Sequence, residues 1–206
     1  MHAKTLTIIL LFASISFSSY GQYTAKDTNA GKFFIGSTLA ILGNFLPENK
    51  PDFVQLNLGY RITSKDVVSL ELKTWKYAWP LGTPPYGDFY EAPGENFPGH
   101  IREFGVALAY QRYLWKGLYT GIHVMNAFQR FVDEEGNKIG NGFQLFNTYR
   151  IGYHIKLFND RFFLQPSLAI THRPFHTEMP AGFKQQDDKW SKFVFGEPGM
   201  HFGFNF

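Results

Sequence analysis

The sequence predicts an all-β protein, eight antiparallel strands wound up and down into a transmembrane β-barrel. Three observations predict it. Eight segments alternate apolar and polar residues with a period of two, as a strand with one apolar face must. The connections between those segments alternate long and short. The chain is also rich in aromatics, 18% with 23 Phe and 11 Tyr, while its mean hydropathy is slightly negative. Membrane helices would be far more apolar, whereas a barrel shows lipid only every second residue.

At 206 residues the chain has room for one domain, or one eight-stranded barrel with its loops. It has no cysteine, which excludes disulfides and thiolate metal sites. The formal charge of +3 comes without any Lys/Arg block, so a nucleic-acid partner is not expected.

Residues 1–21 read as a signal peptide. His2 and Lys4 precede an apolar run from Leu6 to Phe17, and Ser19-Tyr20-Gly21 supplies small residues for cleavage before Gln22. The run is shorter than the ~20 residues a membrane-spanning helix needs. Residues 22–31 follow as a polar periplasmic lead-in, and residues 32–206 form the barrel.

The first strand is expected from Lys32 to Asn44, weakly alternating. The second, Phe53 to Ile62, sets Val54, Leu56, Leu58 and Tyr60 against Gln55, Asn57, Gly59 and Arg61. The third runs from Asp66 to about Tyr77, the fourth from Ile101 to Trp115 and the fifth from Leu118 to Phe131. The sixth is expected from Phe143 to Leu157 and the seventh from Arg161 to Arg173. In the seventh, Pro166 lacks an N–H for the ladder and predicts an irregularity. The eighth, from Phe193 to Phe206, sets Met200, Phe202, Phe204 and Phe206 against His201, Gly203 and Asn205. Long connections are expected at 45–52, 78–100, 132–142 and 174–192. Short turns fall at 62–66, 115–117 and 158–160, the pattern of a barrel with both termini on the short-turn side.

A soluble, lipocalin-like barrel shares the alternation but turns its apolar face inward. The polar faces decide between the two. They are rich in Gly and Ala, which suits the narrow interior of eight strands rather than a water-facing surface. Tyr60, Tyr113, Trp115, Tyr119 and Phe158 are expected to form an interfacial aromatic belt at the short-turn end.

The signal peptide, the eight strands, the alternating connections and Phe206 together resemble the small outer-membrane β-barrels of Gram-negative bacteria. The Gly21-Gln22 junction and Arg161-Phe162-Phe163-Leu164-Gln165-Pro166-Ser167-Leu168-Ala169 are similar to members from Bacteroidetes. The resemblance covers the whole mature chain and is architectural. It implies the cell outer membrane as location and outer-membrane lipid as surroundings. It also implies recognition of Met200, Phe202, Phe204 and Phe206 by the barrel-assembly machinery. No catalytic residue comes with it.

Parity points Arg61, Glu71, Lys73, Glu103, Arg150, His154, Arg173 and Glu197 inward. Charges of both signs in a narrow lumen should pair, since an unpaired one costs several kcal/mol. A salt-bridged plug is therefore preferred over an ion path. His123, His154 and His201 also face inward, where hydrogen bonding is preferred over metal ligation; no metal or other cofactor is expected. Some small outer-membrane barrels modify lipid A through a Ser nucleophile beside a His. His172, His176 and Glu178 lie near the expected outer rim, but the nearest serines are Ser167 and Ser191. In His123-Val124-Met125-Asn126, Met125 stands where the nucleophile of a His-x-Ser-Asn pattern would be.

In the 78–100 loop, Trp79, Tyr86, Phe89, Tyr90 and Phe97 are candidate anchors for an extracellular ligand or partner protein. The same loop would also serve as a lid over the barrel mouth. The sequence thus predicts a barrel with a plugged polar lumen and a structural or binding role. A lipid-modifying enzyme and a narrow pore for small solutes are the alternatives.

Overall fold

The computed structural model describes residues 31–47, 50–82 and 96–206. The expected signal peptide, residues 22–30 of the lead-in, and the loop tip with Tyr86, Phe89 and Tyr90 lie outside the described residues.

The described chain is an antiparallel sheet that closes on itself. Its strands are β1 (Phe33–Thr38), β2 (Val54–Arg61), β3 (Asp66–Tyr77), β4 (His100–Trp115) and β5 (Leu118–Val132). They continue with β6 (Lys138–Tyr153), β7 (Ile155–Leu157), β8 (Phe162–His176) and β9 (Phe193–Asn205). Each of β1 to β5 pairs with its successor; β8 then pairs with β6, β7 and β9, and β9 pairs with β1. The up-and-down order is the expected one. Nine strands stand where eight were predicted because β6 and β7 are one path that lapses at His154. The register on β8 is unchanged across the lapse, from Gly152↔Ser167 to Ile155↔Leu164. Tyr153 and His154, unpaired with β8, stand opposite Pro166 and Gln165, and Pro166 has no N–H to give the ladder. The register shift on the other side of β8 lies further on, between Ala169 and Ile170, where Gly196 of β9 is the extra residue at φ +77°.

Local chemistry explains the tight turns. Lys116 and Gly117 both have positive φ, 44° and 91°, the conformation that lets two residues link strands of native twist. Phe158, Asn159 and Asp160 are also left-handed. Between β5 and β6, Asp133 Oδ1 accepts from Asn137 N at 2.7 Å and closes a short turn. That turn corrects the long connection expected at 132–142: the strands run on through Lys138–Gly142, so long and short connections do not alternate strictly. The first strand is corrected as well. It stops at Thr38, and Leu39–Phe45 is a 3-10 helix whose first turn is capped by Thr38.

The alternation sorts the two faces. Outward positions leave Val54, Leu58, Val68, Leu70, Phe104, Ile122, Val124, Phe128, Ile151, Leu168 and Phe204 exposed, and Leu108 is 71% exposed. Inward positions bury Asn57, Arg61, Glu71, Glu103, Gln129, Gln144, Thr148, Gln165 and Thr171. Tyr113 and Tyr119 depart from the expected belt. Both face inward, buried and edge-on to each other at 6.2 Å, because they share parity with Gln111 and Gly121; Tyr60, Trp115 and Phe158 remain outside.

Candidate functional site

The interior is built in layers from the long-connection end downward. The uppermost is apolar. Tyr77, Phe97, Ile101, Phe131, Met179 and Phe183 pack together with Trp75 against them. Phe183 comes from the helix α1 (Ala181–Asp187), stacks on Phe97 at 5.1 Å and meets Phe131 edge-on at 5.2 Å. Arg173 on β8 clamps α1 through two bonds to Asp187, at 2.8 and 3.0 Å. Phe97 therefore serves as a lid residue rather than an exposed anchor, while Trp79 lines a cavity described below.

Beneath the lid Glu103 is 2% exposed. Its Oε1 accepts from Trp75 Nε1 at 2.8 Å. Its Oε2 accepts from Tyr77 OH at 2.9 Å, Gln129 Nε2 at 3.1 Å and Gln144 Nε2 at 2.7 Å. Four donors from three strands satisfy an acceptor-only carboxylate without a cation.

The middle of the lumen holds the remaining predicted charges, but they do not pair as expected. Glu71 Oε2 lies 3.1 Å from His123 Nδ1, and Arg150 donates to Ser167 Oγ at 2.8 Å. Lys73 makes no hydrogen bond or ion pair among the described residues. Its ammonium instead lies 4.5 Å from the centre of the Trp75 ring and 5.5 Å from that of Phe146. Glu197 lines the same space as Lys73 and Arg150, and His201 faces it from β9.

At the short-turn end a last layer closes the lumen. His154 contacts Tyr113 OH at 3.1 Å and Gln165 Nε2 at 2.9 Å, and stacks on Phe163 at 5.1 Å. Arg61 donates to Asn205 Oδ1 at 2.9 Å, and Asn205 in turn donates to the Asp160 carbonyl. Asp160 lies 3.5 Å from His154 Nε2 and 3.3 Å from Lys156 Nζ. Burial alone would push the Asp160 carboxyl up. The nearby His154 ring and the Lys156 and Arg61 charges outweigh it and hold the carboxyl below its ordinary value.

Between the lid and the middle layer lies a cavity of about 370 Å³. Leu46, Phe53, Trp79 and Leu81 line its apolar part, and Lys73 and Arg150 line its polar part. A smaller void of about 50 Å³ lies deeper, beside Glu71, His123 and Gln165. Its size and polar lining suit bound water.

The parity of the strands placed Arg61, Glu71, Lys73, Glu103, Arg150, His154 and Arg173 inside, yet several partners come from elsewhere. Trp75 and Tyr77 continue the Lys73 face, a signal present in the sequence. Asp160 and Asp187 lie in connections, where no periodicity marks them. No serine–histidine pair is formed by the residues considered for acyl chemistry. Ser167 Oγ bonds Arg150 and the Gly199 carbonyl, Ser191 Oγ accepts from Phe193 N, and His172 stacks on Phe193 at 4.0 Å. Among the described residues no group of three or more His, Asp and Glu is arranged to hold a metal ion. No protein-family model, curated protein or solved structure matches the chain.

Proposed function

We propose that this chain is an exported outer-membrane β-barrel that binds rather than conducts or catalyses. The observation that carries the reading is the inversion of its faces, with apolar side chains exposed on the outside and charged and amide side chains within. Leu108, Phe128, Ile151 and Leu168 belong to a continuous outward girdle. Soluble monomers rarely expose large apolar side chains on neighbouring strands in this way, and lipid is the solvent that suits them. Ile62, Trp115 and Phe158 add exposed apolar surface at the short-turn end, where Asp66 bonds Arg112 and Tyr110 on the outer face.

A binding role is favoured over a pore by the interior. Among the described residues the Phe97–Phe183 lid, the Glu103 cluster and the His154 layer succeed one another down the lumen and leave a cavity rather than a continuous bore. Ser167, Ser191 and His172, weighed for lipid-acyl chemistry, engage other partners, which disfavours the enzyme reading. Met200, Phe202, Phe204 and Phe206 remain the proposed signal for the barrel-assembly machinery.

The test is refolding of residues 22–206 into detergent, with unboiled and boiled samples compared on SDS gels and then in planar bilayers. A β-rich species whose mobility shifts on boiling, and which carries no stepwise current, is expected. A chain that folds in buffer without detergent would overturn the reading.

A further inference from the structure

The wall of the ring is incomplete on one side. β1 ends at Thr38, opposite His201, so β9 before His201 pairs with β8 alone. On the other flank, β2 has no β1 partner beyond the pair Gly36↔Asn57. The 3-10 helix Leu39–Phe45 fills this gap without joining the ladder. It is fastened at its two ends. Thr38 Oγ1 donates to the Met200 carbonyl at 3.1 Å. The Asn44 side chain substitutes for a neighbouring strand, donating to the Phe53 carbonyl at 2.8 Å and accepting from Phe53 N at 2.7 Å. The facing edge of β9 carries Pro198 and the Gly196 bulge, two features that discourage strand recruitment at an open edge. Leu39, Leu42, Phe45 and Leu46 are exposed on the outside of the segment.

The 370 Å³ cavity lies directly behind this gap and takes lining from both flanks, Ala40, Gly43 and Leu46 on one side and Pro198 and Gly199 on the other. Its charge is unbalanced. Lys73 and Arg150 line it against one carboxylate, Glu197, while Lys76, also on its lining, pairs with Asp52 at 3.5 Å; among the described residues Lys73 meets only aromatic rings. A half-buried ammonium with no acceptor among the described residues leaves an anion's place open.

We propose that the cavity binds a single-chain amphiphile with an anionic head, of the fatty-acid or alkyl-phosphate kind, which enters from the bilayer between the 3-10 helix and β9. The head lies between Lys73 and Arg150, and the chain lies along Phe53, Trp79, Leu81 and Leu46 toward the gap. The volume falls at the lower end of the ~300–1,000 Å³ of small-molecule sites, which suits one chain and not two. The inference rests on the membrane-barrel reading, and the heat-shift on gels reports on that reading separately.

The test uses the barrel in nanodiscs of zwitterionic lipid with Trp115→Phe, which removes the outward indole. It is titrated with an undecanoate brominated at its far end, and tryptophan quenching is followed. Saturable quenching near one probe per barrel is expected. It should weaken about tenfold or more with Lys73→Met, the value of a charge-assisted hydrogen bond. The matching brominated alcohol and alkylammonium should give no saturable component, and inorganic phosphate should not displace the undecanoate. Ala40→Trp, at the entrance, should slow association while leaving the heat-shift intact. Equal binding of acid, alcohol and ammonium would overturn the proposal, as would wild-type affinity in Lys73→Met. Full displacement by inorganic phosphate would overturn the amphiphile in favour of a plain anion site.

Discussion

Arg173 and Asp187 meet in a two-point pair at 2.8 and 3.0 Å, both buried, and so fix α1 over one end of the lumen. Removing one partner leaves the other charge uncompensated, a loss of about 3–5 kcal/mol. Asp187→Ala should therefore lower the denaturant midpoint in detergent and raise hydrogen exchange in 181–187 before it does so in the strands. Arg173→Met with Asp187→Leu should recover much of that stability. Equal protection of α1 in the single variant and the wild type would show that the pair does not hold the lid.

Glu103 joins three strands through four accepted hydrogen bonds. Glu103→Ala leaves Trp75, Tyr77, Gln129 and Gln144 short of an acceptor in a buried space, where each orphaned group costs about 1–3 kcal/mol. The expected result is a barrel that unfolds at clearly lower temperature on semi-native gels. Glu103→Gln, which keeps one acceptor oxygen, should lie between the alanine variant and the wild type.

Closure of the ring depends on a missing side chain at Gly203. A Cβ there would lie 2.7 Å from the Ile35 carbonyl oxygen and 2.4 Å from the Phe163 ring, and the backbone atom cannot move aside without disturbing the β1–β9 ladder. Gly203→Val should destabilise by at least the ~1–3 kcal/mol typical of overpacking. It should also reduce the yield of the heat-modifiable form. A fully refolding Gly203→Val would show that the seam is looser than the geometry implies.

Asp160 gives the short-turn end an acid dependence. Its carboxyl is held below the ordinary value by His154, Lys156 and Arg61 despite burial. A depressed folded value means the contribution is complete above the unfolded carboxyl range and is lost as pH falls through the folded value. Asp160→Asn should therefore be less stable than wild type at neutral pH, and the two should converge in acid. Parallel stability curves down to strong acid would remove Asp160 from this role.

Much of the fold was legible because period-two alternation is strong where one face meets a single environment. β3 begins at Asp66 and ends at Tyr77 as expected, and β4, β5 and β9 fall within a residue or so of their predicted limits. The misses have local causes. Leu39 and Ile41 extend an apolar alternation past Thr38, but Thr38 and Asn44 prefer side-chain bonds to the backbone that turn the chain into a 3-10 helix. The polar, glycine-containing stretch Lys138–Gly142 reads as a loop, although it pairs with β5 as the extended end of a hairpin. Parity also told which charges face inward without telling what they meet. Lys73 found aromatic rings, Arg150 a serine hydroxyl and Arg173 a carboxylate from α1, since partners across a lumen depend on register and on residues supplied by the connections.

The central claim is that the outward apolar face meets lipid. The chain has no cysteine of its own, so single cysteines report cleanly on each face. The decisive measurement is the rate of reaction of Leu58→Cys, Leu108→Cys, Phe128→Cys and Leu168→Cys with a membrane-impermeant maleimide in liposomes, compared with Glu134→Cys in the Asp133–Asn137 turn. Protection of all four girdle positions with ready labelling at Glu134 is the predicted result. Labelling of the girdle at the rate of the turn would contradict the account.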